Sequence, residues 1–379
     1  MKKIIKNICF LTIPSIIVAI LILELFVRVT WDKKQGTPGL VLTHPTRIET
    51  LAPNYKGYFA GQPLKVNNLG FRDDQDYDIV KLPGTYRIIV LGDSVTFGHG
   101  CKFDETWPYL LRKDLERHDS SVDWQVWNLG VPGYDNVLAL RTLEELGPKY
   151  KPDLVIVGFY ENDLIAWNYH SKQQTSKLVY NIKRFLKQNF YLYTKLRYAY
   201  NVISNLKAGS QYQCEREAML LKKPDKEVAP VDLSKLELKH RLPGAPQTPR
   251  TDRVYTYLKD GEASLRQSVD MFKEYGSKGT YKIVYFINIS PDIDMEKDVF
   301  IDGVHNEMND FFVHLFNKDF PTVSSYDAFW SYKPSEVPGS DGHSLGAANK
   351  VKADVLSDFL IRQGILSSRA PSSLTTKSH

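Results

Sequence analysis

Short apolar segments alternate with amphipathic ones along most of the chain, and this alternation constrains the fold more than any other feature. Strands are predicted at 87–91, 124–128, 153–158, 282–287 and 322–326, and helices near 106–118, 135–147, 264–275, 302–317 and 347–362. Such alternation is typical of a parallel sheet with helices on both faces. The sequence therefore predicts a doubly wound α/β domain, with its active site at the carboxyl ends of the strands.

A serine follows the first predicted strand almost directly. Gly92-Asp93-Ser94 stands between the apolar run 87–91 and a predicted helical turn. A serine at a strand-to-helix turn exposes its hydroxyl, and the free N–H groups of the next helix face it. Access and waiting hydrogen-bond donors are what a nucleophile requires. Taken alone, however, the tripeptide is better explained as a structural helix cap.

Three further motifs follow in order, at 128–133 (NLGVPG), 158–163 (GFYEND) and 341–343 (DGH). The first two each come after a predicted strand, and the third precedes the last predicted helix. A glycine lets backbone approach a ligand closely, and an asparagine amide can donate a hydrogen bond. Residues two apart in extended backbone point the same way, which suits an aspartate that orients a histidine. Each motif taken singly also has a structural explanation: an ordinary turn for the first, a helix cap for the second and a solvated loop for the third.

Together with Gly92-Asp93-Ser94, these motifs make the chain resemble the SGNH (GDSL-type) hydrolase family over most of 65–365. The stretches 68–72 (NLGFR) and 151–155 (KPDLV) are also similar to membrane-anchored bacterial members. The resemblance implies that Ser94 is the nucleophile of a serine esterase that uses no metal or cofactor. It further implies that His343 is the general base and that Asp341 orients its ring.

The same resemblance implies an oxyanion hole made of the Ser94 N–H, the Gly130 N–H and the Asn162 side chain. Asp93 is expected to brace the turn rather than to react.

A second aspartate–histidine pair competes for the catalytic role. Asp302 and His305 are three residues apart, which is the commoner spacing in the family, whereas Asp341 and His343 are two apart. The first pair precedes the predicted strand 322–326, which is too early for the family's order of motifs. We therefore predict that Asp341 and His343 are the catalytic pair.

Residues 1–31 are predicted to be a membrane anchor. The 20 residues from 8 to 27 carry no charge except that of Glu24, and 20 residues is about the length that spans a bilayer core. Lysines at 2, 3 and 6 precede them and predict a cytoplasmic N-terminus, with the rest of the chain outside the inner membrane. No small-residue cleavage pattern ends the segment, which favours an uncleaved single-pass anchor. Residues 32–64 are predicted to form an extended stalk, which can lie against the domain, and 366–379 a flexible tail.

An insertion at 168–260 interrupts the alternation and is strongly basic. Residues 170–260 hold 18 lysines and arginines against 8 aspartates and glutamates, a net charge of +10. Residues 176–206 predict one or two basic amphipathic helices, and 207–254 a long irregular loop. Three roles stay open: a solvated excursion, a lid over the site, or a segment on an anionic membrane surface.

Composition excludes some functions and leaves others open. The net charge of +5 falls to +2 once residues 1–31 are set aside, which does not suggest nucleic-acid binding. Three cysteines form no disulfide framework, although Cys101 and Cys214 could pair, and no cluster has zinc-site spacing. We expect an esterase acting on O-acyl, especially O-acetyl, groups of a cell-surface or secreted polysaccharide. An O-acyltransferase and a non-catalytic glycan-binding or assembly protein of the same fold remain alternatives, and protein partners are unknown.

Overall fold

A five-stranded parallel sheet forms the centre of the computed structural model, which describes residues 2–32, 36–164, 177–197, 199–200, 249–294, 296–340 and 343–366. The strands are β5 (Thr85–Gly92), β6 (Asp123–Asn128), β7 (Leu154–Phe159), β8 (Lys282–Ile287) and β11 (Thr322–Ser324). Their order across the sheet is β11-β8-β7-β5-β6, and every neighbouring pair is parallel.

Helices cover both faces of the sheet. The helices include α1 (Lys2–Val29), α2 (Ser94–Phe97), α3 (Trp107–His118), α4 (Asn136–Tyr150), α5 (Lys177–Asn189), α6 (Pro249–Lys278), α7 (Val304–Phe316), α8 (Tyr326–Phe329) and α9 (Gly346–Arg362). Side chains of α4, α6 and α7 share a buried cluster with one face of the sheet, and side chains of α3 and α9 share a cluster with the other. The predicted doubly wound α/β class is confirmed.

The register of the sheet explains both clusters. Ile89 and Leu91 of β5 belong to the first cluster, whereas Ile88 and Val90 belong to the second. Successive side chains of a strand point to opposite faces, so a continuous apolar run is what a strand covered on both faces needs. Helix α6 begins at Pro249, which lies inside the loop predicted for 207–254; the part of that loop before 249 lies outside the described residues.

The stretch predicted as an extended stalk instead contains two antiparallel hairpins. Strands β1 (Val41–His44) and β2 (Ile48–Leu51) form the first, and β3 (Lys56–Phe59) and β4 (Gln62–Lys65) form the second. Ala60 and Gly61 join β3 to β4 with φ of 46° and 79°, the pattern of a tight hairpin turn. Apolar side chains of both hairpins are buried in one cluster with residues next to the site, namely Leu51, Tyr55, Leu64, Phe97 and Val131.

Helix α1 stands apart from this core. Its part Leu11–Val29 is long and apolar enough to cross a membrane, and no other helix in the described ranges meets that test. Most of its large apolar side chains are exposed.

Two short antiparallel pairs complete the fold, namely β9 (Asp292–Asp294) with β10 (Val299–Ile301), and β12 (Gly339–Ser340) with β13 (His343–Ser344).

Candidate active site

Ser94 stands at the carboxyl end of the central strand β5, where two glycines make room for a sharp turn. Gly92 has φ of 152°, and a Cβ atom there would lie 2.3 Å from Thr96 Oγ1 and 2.6 Å from the Gly158 carbonyl oxygen. Gly158 is the paired residue on β7, and a Cβ there would meet the same Thr96 oxygen at 2.3 Å. Only glycine fits at either position, and the turn begins α2 at a half-buried Ser94.

His343 lies within hydrogen-bond reach of this serine. Its Nε2 is 2.8 Å from Ser94 Oγ, although the two residues are 249 positions apart in the chain. With Nε2 unprotonated, the imidazole can accept the hydroxyl proton, as a general base does for a nucleophile. The structure thus brings together the two residues predicted to act first.

A second histidine, which sequence reasoning did not single out, packs on the imidazole of His343. The ring of His99 stacks on His343 with centroids 4.3 Å apart and planes 19° apart. Phe59, from the hairpin β3–β4, contacts the same His99 ring edge-on at 5.0 Å. His99 comes from the Gly-His-Gly sequence directly after α2, so the segment that follows Ser94 also supports the ring of His343.

Asp341, predicted to orient His343, lies outside the described residues, so its role stays a prediction. On either side of it, Ser340 of β12 pairs with His343 of β13, so His343 lies on a short strand before α9.

Asp93 is fully buried at this turn, and its supporting role stays a prediction. Its carboxylate accepts the Val95 N–H at 2.8 Å and lies 3.3 Å from Ser94 Oγ. Burial raises the pKa of Asp93, while the hydrogen bond from Val95 and the nearby Asn162 amide act in the opposite direction.

A buried lysine supplies positive charge to this region. Lys352, on α9, is almost fully buried, and its burial lowers the pKa of the ammonium to about 8, although the charges of Asp93 and Cys101 raise it. Its charge partly offsets the cost of burying the Asp93 carboxylate. Sequence periodicity marks Lys352 only as a polar residue among the buried positions of α9.

Asn162 is exposed just after the carboxyl end of β7, near the turn that carries Ser94. The adjacent Asp163 is buried and accepts the Tyr160 N–H at 2.8 Å, which pins the short helical turn Glu161–Leu164. The Asn162 amide interacts with the Asp93 carboxyl. An amide nitrogen carries two hydrogens, so a second donor remains for an oxyanion.

Gly130 is less available than its predicted oxyanion role requires. Its N–H already donates to the Asn128 side-chain oxygen at 3.0 Å, and a Cβ at Gly130 would lie 2.6 Å from the Phe97 nitrogen. The glycine therefore serves close packing of the loop against α2. For the Gly130 N–H to bind an oxyanion, Asn128 would have to release it, so the oxyanion role of Gly130 stays a prediction.

Two buried side chains hold α2 in place from outside the predicted site. The Asn128 amide donates to the Thr96 carbonyl at 2.9 Å. Arg72 donates to the carbonyls of Phe97, at 2.9 Å, and of Gly98, and so satisfies the end of α2. Arg72 is the last residue of the stretch 68–72, whose sequence is similar to that of membrane-anchored SGNH-family members. Its hydrogen bonds to the end of α2 explain why an arginine stands there.

His305, the histidine of the competing pair, contacts two carboxylates instead of Ser94. His305 is buried, with Nε2 2.8 Å from a Glu161 oxygen and Nδ1 3.0 Å from an Asp292 oxygen. Burial alone would lower the pKa of His305, but its contacts with Asp292 and Glu161 raise the pKa to about 9. A histidine held as a cation between two carboxylates cannot take up the proton of a serine at neutral pH. Its charge instead anchors the turn that carries Asn162.

No group of three His, Cys, Asp or Glu side chains in the described part of the chain is arranged to hold a metal ion. Cys101 is a buried free thiol, 3.1 Å from the Ser344 carbonyl and 3.2 Å from the Asn349 amide nitrogen, while Cys214 lies outside the described residues. Cys101 thus packs under the strand that carries His343.

Comparison with models of protein families identifies the family to which this chain belongs. A family model described as GDSL-like Lipase/Acylhydrolase matches residues 88–309, more than half of the chain. The chain belongs to this GDSL-like family. The matched region of the GDSL-family chain includes Ser94 and Asn162, and it ends before His343.

Individual relatives of this GDSL-family protein are distant or partial. An arylesterase of Vibrio mimicus is 32% identical over 77 residues, which is 20% of this chain and 38% of the relative. The match thus spans well under half of that relative. Among solved structures, a catalytic mutant of Axe2, an acetylxylan esterase from Geobacillus stearothermophilus, is 13% identical with a TM-score of 0.39, over 76% of this chain and 97% of that one. A two-domain esterase active on acetylated mannans is 13% identical with a TM-score of 0.37, over 76% and 52%.

Proposed function

We propose that this protein is a serine esterase that hydrolyses O-acyl esters through an acyl-enzyme on Ser94. The observation that carries the proposal is the 2.8 Å approach of His343 Nε2 to Ser94 Oγ at the carboxyl end of the central strand. Membership of the GDSL-like lipase/acylhydrolase family supports the same chemistry.

The reaction follows from the positions of these two side chains. As Ser94 Oγ bonds to the acyl carbon, its proton passes to His343 Nε2. The ester C–O bond then breaks, and the imidazolium returns the proton to the leaving alcohol. A water molecule attacks the acyl-enzyme, again giving its proton to His343, and the acid leaves as Ser94 is restored. Asp341 is proposed to hold the ring of His343 in the required orientation.

The negative oxygen of each tetrahedral intermediate needs hydrogen-bond donors. The Ser94 N–H opens α2, where the first N–H groups have no acceptor within the helix. The exposed Asn162 amide, held beside it by the Glu161–Leu164 turn, supplies the second proposed donor. The Gly130 N–H is not included while Asn128 occupies it.

The substrate is proposed from the placement of the domain. Helix α1 is proposed to be a single-pass anchor in the cytoplasmic membrane, with the catalytic domain on the extracytoplasmic side. An esterase held there meets cell-surface and secreted polysaccharides, and we propose their O-acetyl groups as its substrates.

The direct test uses the full chain in detergent. We expect release of 4-nitrophenol from its acetate ester, release of acetate from acetylated glycans, and stoichiometric labelling of Ser94 by an activated phosphonate. Labelling without turnover until a glycan acceptor is added would assign an O-acyltransferase instead. If neither labelling nor turnover occurs, a non-catalytic glycan-binding or assembly protein replaces the esterase.

Replacing Asn162 by alanine is expected to lower kcat by about 100- to 1,000-fold, the usual loss for one oxyanion donor. KM should change little, because the donor acts mainly in the transition state. The matched control is Asn181→Ala, an exposed asparagine on α5, which should leave both constants unchanged. If Asn162→Ala raises KM alone, the amide binds substrate rather than the oxyanion.

A further inference from the structure

The carboxyl end of α1 is fastened to the basic insertion through a buried carboxylate. Glu24 is 6% exposed and accepts hydrogen bonds from the N–H groups of Tyr191 and Leu192, at 3.0 and 2.8 Å. Arg28, one turn further along, contacts Glu24 at 2.7 Å and donates to the Asn189 carbonyl at 2.6 Å. The acidic residue that interrupts the apolar helix is therefore the residue that docks the insertion.

Aromatic and basic side chains surround this joint. The rings of Trp31 and Tyr191 meet edge to face at 5.0 Å, and Lys195 Nζ lies 5.9 Å from the centre of the Trp31 ring. Trp, Tyr, Lys and Arg are the side chains that anchor proteins at a membrane–water interface. Glu24 precedes the end of the apolar stretch Leu11–Val29 by about 7 Å along the helix axis. The joint therefore lies at the level where α1 would leave a membrane.

Helix α5 ends at this joint and exposes an apolar stripe. Leu178, Ile182 and Phe185 are 70%, 50% and 58% exposed. Their spacing of four and three residues places them on one side of the helix. A helix of a water-soluble domain normally packs such a stripe against the core. An exposed apolar stripe therefore indicates a surface that contacts a membrane or another protein.

The other side of α5 faces the domain with polar groups. Lys187 Nζ lies 3.8 Å from a Glu49 oxygen, and the Gln188 amide donates to the Val41 carbonyl at 3.1 Å. These contacts with the hairpin β1–β2 fix the rotation of α5, and so they keep its apolar stripe directed away from that hairpin.

The charge of α5 indicates what covers the stripe. Its 13 residues carry four basic side chains and no acidic one. A basic helix with an apolar stripe binds in the headgroup region of anionic membranes. The joint with α1 places α5 at that surface, which favours a bilayer over a protein partner as the cover.

We propose that α5 lies in the interface of the membrane that α1 enters, with Leu178, Ile182 and Phe185 toward the acyl chains and its net positive charge attracted to anionic headgroups. The insertion thereby sets the orientation of the catalytic domain against the membrane. This inference rests on the membrane placement proposed for α1 and is independent of the ester chemistry.

The test attaches an environment-sensitive fluorophore at Ile182→Cys in the full-length chain, with Cys9 and Cys214 replaced by serine and Cys101 left buried. The protein is reconstituted in vesicles of phosphatidylcholine, alone or mixed with phosphatidylglycerol. We expect a blue-shifted emission that is lost when lipids carrying doxyl quenchers are added, more completely in the anionic vesicles. The matched control is Lys187→Cys, on the opposite side of the same helix, whose probe should resist the quencher.

Three outcomes would overturn the proposal. If the vesicles retain the protein but the probe at 182 emits as in water, α1 is an anchor and α5 is not at the interface. A blue-shifted probe that doxyl lipids do not quench would show that another part of the protein covers the stripe. Failure of the chain to remain in vesicles at all would refute the anchor as well, while esterase activity in detergent would be unaffected.

Discussion

Replacing Ser94 by alanine is expected to lower kcat for 4-nitrophenyl acetate by roughly 10⁶-fold, because no other group in the described site can form the acyl-enzyme. The side chain is half-buried, and its Oγ contacts His343 and Asp93. Removing one hydroxyl there leaves the Asp93 carboxylate bonded to the Val95 N–H, so the turn should persist. Activity is measured beside thermal unfolding, which should change little.

Phosphonate labelling supplies the control for this substitution. Wild-type protein should gain the mass of one phosphonyl group on the peptide that contains Ser94, and Ser94→Ala should gain none. Ser121→Ala, an exposed serine before β6, should behave as wild type in both assays. If Ser94→Ala keeps a substantial part of the activity, another residue is the nucleophile and the proposed mechanism is wrong.

Replacing His343 should lower activity, whereas replacing His305 should lower stability. His343→Ala is expected to lower kcat about as much as loss of the serine, with the free energy of unfolding nearly unchanged. His305→Gln is expected to cost about 3 kcal/mol of stability, because Glu161 and Asp292 lose the cation buried between them. Urea unfolding and ester hydrolysis of the two variants give the comparison.

The pH dependence of unfolding sharpens this test. The pKa of His305 is raised from 6.5 to about 9 in the folded protein, so the cation's contribution is complete below pH 6.5 and is lost as the pH rises to about 9. The stability difference between wild type and His305→Gln should therefore be largest near pH 6 and should shrink toward pH 10. A difference that does not change with pH would exclude the charged cluster, and an active His343→Ala would overturn the choice of base.

Local patterns in the sequence were sufficient to predict the sheet and the turn that carries Ser94. The predicted strand 282–287 has the bounds of β8, and the predicted last helix differs from α9 by one residue at its start. Apolar periodicity and the glycines of a strand-to-helix turn act over a few neighbouring residues, so they can be read without knowing the fold. The hairpin turn at Ala60–Gly61 was equally local but was obscured by the prolines around it.

The sequence by itself determined that Ser94 follows a buried parallel strand and that His343 precedes the last helix. Only the tertiary structure decided that these two meet, that His99 stacks on His343, and that Asn128 accepts the Gly130 N–H. Hydrogen-bond partners and ring contacts depend on angstrom-scale packing between segments far apart in the chain, to which periodicity and spacing are blind. For the same reason the sequence shows Glu24 only as a charged residue within an apolar helix, whereas the structure shows the backbone N–H groups that it binds.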